Sequence, residues 1–106
     1  MATGRLGSAN LVAATPAVIY TVGNDIFSVV TVNVCNRSSS AVTINIALSS
    51  ADTATDDEYI EFGADLVPNG VLERTGLVIE SGTRVIVTSS GNDVSAMTMG
   101  IETATV

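Results

Sequence analysis

The stretch that decides the fold runs from Ile26 to Leu48, IFSVVTVNVCNRSSSAVTINIAL. Successive side chains of a strand point to opposite faces, so Val30, Val32 and Val34 share one face while Thr31, Asn33 and Cys35 share the other. After the polar reversal Asn36-Arg37-Ser38-Ser39-Ser40, the alternation resumes with Val42, Ile44, Ile46 and Leu48 inward against Thr43 and Asn45 outward. These runs read as two strands of a hairpin, greasy on the core face and Thr/Asn-rich on the other.

Working outward, the same pattern recurs between turn residues. Ala17 to Val22 reads as a strand ended by Gly23-Asn24-Asp25. On the other side a polar loop, 49–57, leads into a strand from Glu58 to Phe62 and the turn Pro68-Asn69-Gly70. Strands follow over Val71 to Ile79, Thr83 to Thr88 and Val94 to Ile101, separated by Ser81-Gly82 and by Ser90-Gly91-Asn92-Asp93. In the second of these, Val85 and Val87 oppose Arg84, Ile86 and Thr88. The fold expected is all-β, an antiparallel β-sandwich of about seven strands, immunoglobulin-like or jelly-roll-like, with a small barrel as a further option. No Cys-Trp-Cys core pattern marks it as immunoglobulin. Its expected core is Val30, Val32, Val34, Val42, Ile44, Ile46, Val85 and Val87. Residues 1–15, with Gly4, Gly7, Ser8 and Asn10 and little periodicity, read as an N-terminal arm, and residues 16–106 as one domain.

Composition agrees with strands and removes several functions. A chain of 106 residues makes one domain, burying roughly two-thirds of its unfolded surface. Val, Ile and Thr supply 36 residues, a third of the chain, and branched side chains fit a pleated sheet better than a helix. The aromatic residues are Tyr20, Phe27, Tyr59 and Phe62, so a Trp-based sugar platform is excluded. Four arginines are scattered through a chain of net charge −7 that has neither lysine nor histidine. Nucleic acid and anionic membranes need clustered cations and are not expected partners. The apolar runs are too short to span a bilayer, and no signal-peptide core is read at the N-terminus, so a cytoplasmic site of synthesis is expected. Cys35 stands alone and makes no internal disulfide.

The segments VNVCNRSSSAVTINIALSS, DDEYIEF and VPNGVLERTGLVIESGTRVIVTSS together resemble short virion structural proteins of tailed bacteriophages, notably those of marine bacteria and cyanobacteria. The resemblance spans roughly residues 17–101, and its most distinctive element is NGVLERTGLVI, Asn69 to Ile79. Members usually carry a Pro-Ala-Gly type turn after the first strand, whereas Val22-Gly23-Asn24-Asp25 lacks the proline. What the resemblance implies is a non-enzymatic structural protein of the virion, with other copies of itself and a phage capsid or tail protein as partners.

Candidate sites are weighed against simpler readings. Asp52, Asp56, Asp57, Glu58, Glu61 and Asp65 offer carboxylates to calcium, but their spacing is not that of an EF-hand loop, and a solvated loop is expected. As a glycosidase pair they fare worse, since adjacent residues of an extended chain point apart. Cys35 has no His or Lys to activate it and reads as a structural thiol. Asn36-Arg37-Ser38 matches a glycosylation acceptor and is read as a turn. No catalytic residue, cofactor or metal is expected. Six residues are expected at a subunit interface. Arg5, Leu6, Leu11 and Val12 lie on the arm; Glu73 and Arg74, adjacent in a strand, either blunt its edge or bridge to a neighbour. The leading expectation is a capsid decoration or cement protein, ahead of a tail, baseplate or fibre component serving as adaptor or receptor-binding module. A wall-degrading hydrolase fits least.

Overall fold

Where side chains alternate, the computed structural model, which describes residues 1–105, forms strands. They are β1 (Thr3–Leu11), β2 (Ala17–Thr21), β3 (Ile26–Asn36), β4 (Val42–Ser49), β5 (Tyr59–Leu66), β6 (Val71–Ile79), β7 (Arg84–Ser89) and β8 (Val94–Ala104). A single 3-10 turn, Asp56–Glu58, precedes β5. The strands make two antiparallel sheets of four, in the orders β1-β8-β3-β6 and β2-β7-β4-β5. Every connection but β4–β5 carries the chain from one sheet to the other. Eight strands wound this way form a sandwich of jelly-roll order, which separates it from the immunoglobulin alternative.

The eight residues expected in the core are all buried, joined by Leu11, Ile19, Tyr20, Val22, Leu66, Ile79, Val94 and Ala96. Aliphatic side chains from both inner faces fill the space between the sheets. Two expectations give way. β3 and β4 are not a hairpin: β3 pairs with β6 and β8, while β4 pairs with β5 and β7. Alternation looks the same whether two strands pair edge to edge or face each other across a core, and here they face. The crossing is held by Asn36, fully buried, whose amide donates to the carbonyls of Ser40, Leu66 and Val67 and accepts from the backbone and hydroxyl of Ser38. Its side chain is therefore spent inside the corner, as a turn residue, with no atom free to carry a glycan.

The second correction concerns the arm. Residues 3–11 form strand β1, paired with β8 from Thr3↔Ile101 to Leu11↔Val94, which raises the strand count from seven to eight. The small residues that obscured the strand have structural work: a β-carbon on Gly7 would stand 1.8 Å from the Ile19 carbonyl oxygen, so only glycine lets β1 lie this close to β2. Both backbone groups of Ala2 are tied to Glu102, through its carboxylate and its N–H. Glu102 also accepts from the Tyr20 hydroxyl, which in turn takes the Ser28 hydroxyl hydrogen at 2.7 Å. One carboxylate thus joins β1, β2 and β8.

Burial, helped by the bond to Glu102, pushes the Tyr20 phenol from 10.0 up to about 12. The bond from Tyr20, with the Ala2 N–H, holds Glu102 below the usual carboxylate range. A raised folded-state value means stability that is complete below the unfolded value and is lost as pH rises through the folded one. Two units correspond to about 2–3 kcal/mol. Stability to urea should fall by up to about 2 kcal/mol between pH 10 and pH 12, and Tyr20→Phe should flatten this limb; an unchanged limb contradicts the assignment. A chain lacking residues 2–12 loses β1 and Leu11 and should show no cooperative melting by circular dichroism. Retention of the parent's melting curve would restore the arm reading.

Candidate functional site

The outer face of the β1-β8-β3-β6 sheet is set by β8, which from Ala96 to Ile101 turns its small side chains inward and its large ones outward. Val94, Ala96, Thr98 and Gly100 point to the core, while Ser95, Met97, Met99 and Ile101 point out. Registers across the sheet place these outward residues in rows. Thr3, Ile101, Val29 and Val78 form one row; Arg5, Met99 and Thr31 the next; then Ser8, Met97, Asn33 and Glu73; and then Asn10, Ser95, Cys35 and Val71. Val78 is 70% exposed, Val71 58% and Ile101 48%, with Val29, Met97 and Met99 half-buried among them. Methionines suit such a surface because a flexible thioether fits irregular partners.

Few charges interrupt this face. Arg37 lies along its end, donating from Nε to the Ser95 hydroxyl at 2.7 Å and from Nη2 to Asn10. Arg5, near the β1 edge, and Glu73, on the β6 edge, are exposed and have no hydrogen-bonding or ionic partner among the described residues. Of the residues expected at an interface, these two share this face. The others do not join them. Leu11 belongs to the core, Leu6 is half-buried in a bulge of β1, and Val12 is exposed beyond the strand. Arg74 turns the other way, pairing with Glu61 and donating to the Ile60 carbonyl at 2.9 Å, so its bridge runs between the two sheets of one chain.

The opposite outer face, on β2-β7-β4-β5, carries the paired row Val18, Ile86, Ala47 and Tyr59. Ile86 and Ala47 are buried despite facing outward. Tyr59 meets the exposed Phe62 edge-on at 5.1 Å, beside a hollow of about 430 Å³ that Asp56 also lines. The acidic loop is tied down locally. Arg84 donates to Asp52 at 3.1 Å and to the Ser50 carbonyl at 2.8 Å. Glu58 closes a capping box on Thr55, and the Thr55 N–H, with the Ser49 hydroxyl, holds its carboxyl below the usual range. Among the described residues, no three His, Cys, Asp or Glu side chains converge as a metal site. A second cavity of about 290 Å³ opens where β6 turns into β7, lined by Phe27, Leu48, Val78, Ile79, Glu80 and Thr83.

Sequence reasoning missed the row Met97, Met99 and Ile101. Their alternation with Ala96, Thr98 and Gly100 was visible, but hydrophobicity alone assigns the large residues inward; the small size of the intervening residues is the signal that reverses it. The class these features define is an eight-stranded antiparallel β-sandwich of jelly-roll order with an apolar outer face. Comparison with protein-family models, with curated proteins and with solved structures finds no match.

Because Asp52, Asp57, Glu58 and Glu61 are each held in separate local bonds and no three acidic side chains converge among the described residues, chelator and millimolar calcium should give the same melting temperature. A rise of several degrees with calcium would reveal a site that only the folded chain assembles.

Proposed function

We propose that this chain is a non-enzymatic structural subunit of a tailed-phage particle, repeated over the capsid as a decoration or cement protein. The observation that carries the structural role is the outward apolar bulk of β8, flanked by Val29, Val71 and Val78. The core makes no use of these side chains, and large apolar side chains gathered on an outer face mark a surface suited to a partner. The phage assignment rests on the resemblance of residues 17–101, above all Asn69 to Ile79. Jelly-roll order is compatible with it, since capsid and lectin domains share that architecture, though architecture by itself does not define function.

In this reading the partners are other copies of the chain and a capsid protein, and the working location is the virion. The net charge of −7 keeps unassembled copies apart and soluble. Quantitative gels of purified particles, probed with an antibody to this chain, test the proposal. The expected result is a copy number comparable with that of the major capsid protein. A few copies per particle would move the chain to the tail, and its absence from particles would end the virion reading.

A further inference from the structure

We infer that the outer face of the β1-β8-β3-β6 sheet binds the same face of a second copy, in a two-fold dimer whose axis lies in the interface and runs along the strands. The inference takes from the proposed function only the need for protein cover, and does not depend on the virion assignment.

Three observations select a second copy. The first is the condition of the sheet edges. Each of the four edge strands carries an extra, unpaired residue opposite a regular neighbour: Leu6 in β1, Ile19 in β2, Ile60 and the pair Phe62-Gly63 in β5, and the pair Thr75-Gly76 in β6. The inner pair β3–β8 runs in unbroken register from Ile26 to Asn36. Bulged edges resist strand addition, so copies have no straight ladder through which to join side by side. What remains for association is a face.

The second observation is charge placement. The chosen axis lays β1 of one copy over β6 of the other, and β8 over β3. Met99 then opposes Thr31 of the other copy, and Ile101 opposes Val29. Arg5 lies one row, about 7 Å along the strand, from Glu73 of the other copy, and Arg37 lies one row to the other side of it. Both unpartnered charges of the face therefore meet opposite charges, twice over by symmetry. Arg5, Arg37 and Glu73 also make this face net positive in a chain of net −7, so mutual repulsion between copies is weakest here.

The third is area. Four strands about 4.8 Å apart and up to eleven residues long present roughly 700 Å² per copy. Twice that lies within the range of about 1,200–2,000 Å² for stable, specific interfaces.

Sedimentation equilibrium on the purified full chain tests this. Wild type is expected to be a dimer at micromolar concentration, and Ile101→Asp a folded monomer. Arg5→Glu and Glu73→Arg should each weaken dimerisation by about tenfold or more, since like charges then meet across the interface. Mixing the two single variants supplies the decisive arm: a heterodimer of Arg5→Glu with Glu73→Arg restores both opposite-charge pairs and should form at near wild-type affinity. A wild-type chain that stays monomeric at high concentration overturns the inference and gives the face to a different protein. So does a dimer that survives Ile101→Asp, or a mixture no tighter than its components. A dimer found without any place in the virion would leave this inference standing and remove the proposed function.

Discussion

The pairing of the first strand with the last is the contact on which the rest of the structure depends. β8 lies between β1 and β3 and joins the two ends of the chain in one sheet. Closing so long a loop costs chain entropy before any ladder bond forms, and the gain comes from several non-local contacts made together. Leu11 enters the core, Gly7 lets β1 sit against β2, and Glu102 gathers Ala2 and Tyr20. The outer face inherits this arrangement, because Arg5 and Thr3 stand beside Met99 and Ile101 only while β1 is docked.

Much of the sandwich was legible in the sequence because one physical rule governs it. A strand with a buried face alternates, and Ile26 to Leu48 alternates on both sides of its polar reversal at residues 36–40. That rule names which residues are buried but not which strand lies beside which. The alternation therefore suggests that β3 and β4 are partners, whereas each supplies the opposite wall of the same core. The decision between pairing and facing falls to the corner at Asn36, whose side chain makes five hydrogen-bonding contacts, three within the turn and two with the distant Leu66 and Val67. β1 was hidden for a related reason: a strand with a bulge at Leu6 and glycines at positions 4 and 7 breaks the alternation that makes strands visible.

The candidate surface was legible in part. The sequence offers Arg5 as the charge of an arm and Glu73 as a strand charge that blunts an edge or bridges to a neighbour, and they lie on one face at opposite sides of the sheet. Arg74, offered in the same edge or bridging role as Glu73, is instead an internal tie to Glu61. The difference is which side of β6 each residue occupies, and the bulge at Thr75-Gly76 shifts the alternation next to it. The apolar stripe on β8 was not seen, since residue size rather than polarity separates its two faces. Functional surfaces of this kind are written as a departure from the economy of the core: large side chains point where the fold does not need them.

Amide hydrogen exchange on the full chain, followed residue by residue by NMR, tests most directly the claim that β1 closes the fold. The β1 amides that face β8 should exchange only by global unfolding, with the same protection free energy as those of β3. Exchange of residues 4–11 at rates near those of a free peptide, while β3 stays protected, would show that the chain ends are not joined and that the outer face described here does not persist in solution.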